Sequence, residues 1–394
     1  MLNKLKNLFL LLLVAVAVAG CVKKTDKTVV QFASWGSQSE IEILKPILSD
    51  FEKQNPDIKV EFVHIPQNYF QKLHLLFASN LAPDVIFINN LYLPVYANAG
   101  VLQEIETPHD VFYKKSLQAL SYNDKLYAIP RDISNLVIYY NKDIFDKYNV
   151  PYPKKSWSFD DFLATAKKLT LDTNGDSKTD IWGISFEEEP SLYYLPYLMS
   201  DGGGILSDDL EHKKSIFDSP NSQKGLNFYV DLRNKYHVAP TEAQSASATM
   251  AQLFMQGQLA MQLSGRWLVP KYRTDAKFNW DVINFPAGDN GSIVPLDASG
   301  WAIAKSSKHK KDAMRLINFL ASKGSIEKFT KSGLIVPARI DVAKGSFIKD
   351  SQMPKNKRVF IDIIKTSKPT PVSVDYSEIQ DGLKAKTNYL FNKN

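Results

Sequence analysis

Apolar and polar positions along this chain repeat with two different periods. Residues 28–32 are a short β-branched run, and Ile58-Lys59-Val60-Glu61-Phe62 alternates in and out, so both are expected as strands. Between them Ile41, Leu44, Leu48 and Phe51 recur on one helical face. Ser39 with Glu42 reads as a capping box, Pro46 should kink this helix, and Pro56 should stop it. Val85-Ile86-Phe87-Ile88 follows Ala82-Pro83-Asp84 as a buried strand. The resulting β-α-β-α-β order implies a largely parallel sheet.

The same pattern returns later. Residues 135–140 read as a strand, and Ser158-Phe159-Asp160-Asp161 caps a helix through Leu163, Ala166 and Leu169. Residues 172–180 read as a loop, while 257–263, 281–285 and 301–304 read as extended. Residues 312–320 form an amphipathic helix with Ala313, Leu316 and Leu320 inward. The tail, 357–391, is rich in Ile, Lys and Tyr and is expected to add helices to one of two α/β lobes.

Composition then sets the compartment. Lys4 and Lys6 precede an apolar run over residues 8–19, and Val18-Ala19-Gly20-Cys21 resembles a bacterial lipobox. Residues 1–20 are therefore read as a signal peptide, Cys21 as the lipidated residue, and 21–27 as a polar linker standing the body off the membrane. An uncleaved anchor helix is the alternative, but the run stops short of the roughly 20 residues a span needs. Cys21 is the only cysteine, so lipidation leaves none for a disulfide or a thiolate metal site. Hydrophobic content of 44% in 394 residues supplies two cores, at roughly 150 residues per domain. The net charge of +6 is spread among both signs rather than gathered in a stripe, which argues against nucleic-acid binding.

Several stretches carry a family resemblance. They are Phe32-Ala33-Ser34-Trp35-Gly36, Phe51-Glu52-Lys53-Gln54-Asn55-Pro56-Asp57-Ile58-Lys59-Val60, Ala82-Pro83-Asp84-Val85 and Leu126-Tyr127-Ala128-Ile129-Pro130. Further along come Tyr139-Tyr140-Asn141-Lys142-Asp143-Ile144-Phe145, Trp182-Gly183-Ile184, Gly257-Gln258-Leu259-Ala260-Met261 and Ser299-Gly300-Trp301-Ala302-Ile303. In order and spacing they resemble the extracellular solute-binding proteins of ABC importers, the family that includes maltose-binding protein. From Ser346 onward the match is loose.

The resemblance implies a two-lobed α/β periplasmic-binding-protein fold of the maltose-binding type. Each lobe would be a mixed, mostly parallel sheet flanked by helices, with hinge strands between. Residues 28–131 and 298–345 would form the N-terminal lobe, and 132–297 and 346–394 the C-terminal lobe. The crossings would fall near 130–133 and 294–298. It implies no catalysis: a monomeric receptor captures a sugar, a di- or oligosaccharide, and delivers it to membrane permease subunits. Its place would be the outer face of the bacterial cytoplasmic membrane, or the periplasm if the cell has two membranes.

A sugar needs aromatic platforms and hydrogen-bonding rims. Loops beyond the carboxyl ends of parallel strands are where open α/β sheets bind ligands. Trp35, Ser37 and Gln38 end the first strand, and Asn89, Asn90 and Tyr92 follow the third. Trp35 is read as a platform, with core packing as the alternative. Trp267, after Gly265-Arg266, matches a family position that contacts sugar. Arg131, Asp132 and Ser134 lie at the expected hinge, as ligand contacts or as a plain ion pair. Glu187, Glu189 and Tyr193 lie where the second lobe of the family offers an acid and an aromatic; three adjacent carboxylates are otherwise a solvated loop. Asp297, Trp301 and Tyr376 complete the set.

Two further readings stand beside this one. Asp172, Asn174, Asp176, Lys178 (through its carbonyl) and Asp180 have the spacing of a calcium loop, although Ser177 and Gly183 stand where an EF-hand has Gly and Glu. A structural Ca²⁺ or an Asx-rich turn fits that pattern; no cofactor is otherwise required. The chain has no Gly-x-Ser-x-Gly or His-Glu-x-x-His motif, and His64 and His74 read as structural. A receptor for a non-sugar solute, a sensor feeding a signalling partner, and a glycoside hydrolase or lyase using Glu187, Glu189 or Asp297 are the alternatives.

Overall fold

A computed structural model of the chain describes residues 27–207 and 214–391. The expected signal peptide, Cys21 and all of the linker but Lys27 lie outside the described residues. In chain order the first elements are β1 (Thr28–Ser34), α1 (Gln38–Gln54), β2 (Ile58–His64), α2 (Tyr69–Ala78), β3 (Val85–Asn89), β4 (Ala128–Ser134) and β5 (Leu136–Asn141). There follow α3 (Phe159–Lys168), β6 (Trp182–Ile184), α4 (Pro220–Asn234), β7 (Leu259–Gly265), β8 (Trp280–Ile283) and β9 (Pro295–Ile303). Last come α5 (Lys310–Leu320), α6 (Lys323–Lys331), β10 (Val336–Pro337), β11 (Lys368–Pro369) and α7 (Tyr376–Phe391).

Local chemistry explains most element ends. The capping box of α1 uses Ser37 and Glu40, not the expected Ser39 and Glu42. Gly36 at φ +135° turns the chain after β1, which leaves Ser37 extended and the first residue able to cap. The helix is continuous past Pro46, with Ile41, Leu44, Ile47, Leu48 and Phe51 buried. The box of Ser158 and Asp161 forms as expected. In α5, Ala313, Leu316 and Leu320 face the core.

Two sheets organise these elements. The larger has the order β10-β4-β9-β3-β1-β2, with β11 pairing to β9; the smaller has the order β8-β5-β7-β6. β1 lies parallel to β2 and β3, as the β-α-β-α-β order requires. β9, however, runs antiparallel to both β3 and β4, and in the smaller sheet β5 is antiparallel to β7 and β8. The expectation of mostly parallel sheets is thus corrected. Strands that return after a long excursion through the other sheet enter from the opposite end, which a local period cannot reveal.

The chain leaves the larger sheet after Ser134 and enters the smaller one at Leu136, so the first crossing is Asn135 rather than 130–133. Its side-chain amide donates to the Phe360 carbonyl at 2.8 Å. The return crossing lies between Ile283 and Pro295.

β9 is buried along its whole length. At Gly300 a Cβ would fall 2.2 Å from the Ile129 carbonyl oxygen, so only glycine lets β4 approach at the bulge there. Trp301, expected at the ligand, is 1% exposed and packs against Phe87 and Phe329 at ring separations of 6.0 and 6.3 Å. It belongs to the core because the pleat turns it inward toward α6. Trp301→Ala should cost about 3–5 kcal/mol in urea unfolding; a loss below about 1 kcal/mol would contradict this placement.

Candidate functional site

Parallel pairing of β1, β2 and β3 brings their carboxyl ends to one edge. Trp35, half-buried, leaves β1 there and packs on Phe87, Tyr69 and Phe70 at 4.4, 5.1 and 5.5 Å. Phe70 stacks on Tyr92 at 3.8 Å, and Tyr92 meets Tyr376 of α7 edge-on at 5.3 Å. The Asn89 side chain holds this loop by accepting the Tyr92 N–H at 3.2 Å. Phe70 was missed by sequence reading; it stands in the first turn of α2, six residues beyond the end of β2.

Other expected residues at this edge are consumed internally. Asn90 is fully engaged: its amide donates to Asp297 at 2.9 Å, and its oxygen accepts the Ala298 N–H at 2.9 Å. It braces β9 and is removed from the ligand set. Ser37 caps α1, and Gln38 donates to Glu42 at 3.3 Å. Arg131 and Asp132 form the ion pair, with both nitrogen–oxygen distances at 3.3 Å. Arg131 also lies 4.2 Å above the Phe87 ring. Burial raises the Asp132 carboxyl against the pull of Arg131, and Glu40 adds to the rise. Ser134 ends β4 opposite Asp297.

A second group gathers where parallel β6 and β7 end. Trp267, half-buried, rests its indole on Gly265, where a Cβ would fall 1.9 Å from the ring. Only glycine allows that seat. The Glu187 backbone is held by the Tyr229 hydroxyl through two contacts of 2.8 Å. Burial pushes the Glu187 carboxyl up to about 7, partly offset by the Tyr193 hydroxyl beside it. Tyr193 in turn is raised by burial and by Glu187.

The three adjacent carboxylates part company. Glu188 pairs with the buried Arg233 at 2.8 Å, and Glu189 pairs with Lys384 of α7 at 2.8 Å. Glu189 is therefore turned to the surface of α7 and leaves the ligand set. Glu187 makes no ion pair among the described residues. Asp297 and Tyr376 line a cavity of about 280 Å³ shared with Leu91, Leu192, Met199 and Gln380. That cavity is mainly apolar and shares Tyr376 with the aromatic edge.

The 172–180 loop is closed by its own N–H donors. Asp172 accepts from Gly175 and Ser177 at 2.7 and 2.8 Å, and Asn174 accepts from Asp176 at 2.8 Å. Asp176 accepts from Lys178 at 2.9 Å, and Asp180 from Thr173 at 2.7 Å. These donors hold Asp172 and Asp180 below the usual carboxylate range. Among the described residues no group of three or more His, Cys, Asp or Glu is placed to hold a metal ion.

Comparison with known proteins gives a consistent result. The sequence profile of the bacterial extracellular solute-binding proteins matches residues 35–327. A galactooligosaccharide-binding protein of Bacillus subtilis is 24% identical over 360 residues, covering 88% of this chain and 80% of that protein. An ABC substrate-binding protein from Listeria monocytogenes, solved in complex with cycloalternan, superposes with a TM-score of 0.84 at 29% identity over 93% of this chain and 94% of that one. Maltose-bound MalE3 of T. maritima shares the fold, with a TM-score of 0.80 at 23% identity over 93% and 95% of the two chains.

Glu187 supplies a test of this geometry. Its folded pKa lies above the ordinary 4.5, so the folded state holds the proton more tightly between about pH 4.5 and 7, and stability falls as pH rises through that window. Glu187→Gln should remove the loss, on the order of 3 kcal/mol when complete. The variant's melting temperature, relative to the parent, should climb between about pH 5 and 8; a pH-independent difference would count against a buried, unpaired carboxyl.

Proposed function

This chain belongs to the bacterial extracellular solute-binding proteins, receptors of ABC transporters rather than enzymes, and we propose that its own solute is a carbohydrate, a di- or oligosaccharide. The observation that carries this reading is Trp267, an indole seated on glycine with Glu187 and Tyr193 in the same group. A pyranose presents an apolar C–H face and a rim of hydroxyls. The indole takes the first, while Glu187, Tyr193 and the Tyr92 hydroxyl serve the second. Trp35 and Phe70 extend the apolar surface on the larger sheet. The galactooligosaccharide-binding protein of Bacillus subtilis and the Listeria monocytogenes protein in complex with cycloalternan agree with this chemistry.

Capture is a population shift. The lobes on the two sheets pivot at Asn135 and at residues 284–294, and a solute touching both stabilises the closed form by its differential contacts. Moving the equilibrium from mostly open to mostly closed takes about 5.5 kcal/mol of that preference. Docking on permease subunits then reopens the body and releases the sugar. The receptor acts as a monomer, tethered by the lipid on Cys21 to the outer face of the cytoplasmic membrane.

A thermal-shift screen against a sugar panel tests the reading. A solute at about 100 times its Kd adds roughly 2.7 kcal/mol of stability. Trp267→Ala should raise the Kd of the best hit by at least about 30-fold by calorimetry while the solute-free protein still unfolds cooperatively. A panel in which no sugar stabilises the protein, while another solute does, overturns the carbohydrate assignment.

A further inference from the structure

The end of the larger sheet opposite the aromatic edge has its own chemistry. β1 enters at Thr28 and runs towards Trp35, so the chain joins the body about 20 Å from the site, the rise of seven strand residues. Lys27, Lys305, Lys308, Lys310 and Lys311 are all exposed at this entry. Hydrogen bonds place them there. The Asp84 carboxylate accepts both the Gln31 N–H at 2.9 Å and the Ser307 hydroxyl at 2.5 Å, which ties the turn before α5 to β1. Thr28 donates to the Asp57 carbonyl, and the Asp57 carboxylate accepts from Arg315 on α5 at 2.7 Å.

Carboxylates at this end already have partners. Asp84 is used as described, Asp57 and Asp312 pair with Arg315, and Glu104 pairs with Lys125. None of the five lysines makes an ion pair among the described residues. The face is therefore net positive and unsatisfied.

We propose that this face rests on the anionic phospholipid surface to which Cys21 tethers the chain, leaving the aromatic site turned away from the bilayer. The proposal rests on the lipid-anchor reading above. Five residues separate Cys21 from Lys27, and the six steps between them span at most about 21 Å when extended, so the tether brings the entry end within reach of the headgroups. Attraction between lysines and anionic lipid acts within a screening length of about 8 Å at physiological salt. The receptor thus waits with its site facing the medium and swings about its tether to meet a permease.

The test uses the full lipidated chain in phosphatidylcholine vesicles with or without about one-third phosphatidylglycerol. Because Cys21 is the sole cysteine and the lipid consumes it, one introduced cysteine can carry a dye: Ser306→Cys at the basic end, or Gln67→Cys beyond β2. Headgroup nitroxides should quench the dye at 306 several-fold more than the dye at 67 on anionic vesicles. That contrast should shrink at least roughly threefold in about 0.5 M NaCl, and likewise in the K305Q/K308Q/K310Q/K311Q variant. Equal quenching at both positions, or the same contrast on neutral vesicles, overturns the proposal. A chain that never partitions into vesicles refutes the anchor instead; sedimentation with anionic vesicles then decides the basic face, supported by salt-sensitive pelleting that the quadruple variant loses and overturned by its absence.

Discussion

A strand buried along its whole length must satisfy its backbone on both sides, and β9 meets that demand by lying between β3 and β4. Much else follows from this pairing. Antiparallel registry with β3 positions the loop that carries Asn89 and Tyr92, and registry with β4 positions Arg131, Asp132 and the crossing at Asn135. Asn90 completes the junction, since its side chain spends both donor and acceptor on Asp297 and Ala298. An apolar substitute there would leave a buried carboxylate and an N–H without partners.

Electrostatic pairing divides the polar residues into those that hold the fold and those left for a solute. Arg131 and Asp132 face each other, Glu188 has Arg233, and Glu189 has Lys384. Glu187 alone among the adjacent carboxylates is half-buried with no cation partner among the described residues, and that is why its proton is held to about 7. A carboxyl in this state donates or accepts a hydrogen bond to a neutral hydroxyl without the full desolvation cost of a fixed charge. Tyr193 beside it and Trp267 on Gly265 are the other parts of the proposed sugar surface.

Strand polarity also separates two activities of one lobe. The carboxyl ends of β1, β2 and β3 gather the aromatic rings, while their amino ends gather the lysines and the chain entry. A body organised this way has one end suited to a solute and the other to a charged surface, with rigid strands keeping them apart.

Local periodicity by itself determined the positions of most strands and helices and the inward face of α5; residue types marked the cap at Ser158, and a separate series of short motifs carried the resemblance to a solute-binding family. Turn geometry was less legible: Gly36 moved the cap of α1 from Ser39 to Ser37. Tertiary structure alone decided the antiparallel insertion of β9, the core position of Trp301, and the diversion of Asn90 and Glu189 into internal bonds. The physical reason is that a side chain's availability depends on what its neighbours in space have already satisfied. Sequence spacing records which face a residue shares with its own element, whereas partners such as Asp297 for Asn90 or Lys384 for Glu189 come from segments about two hundred residues away.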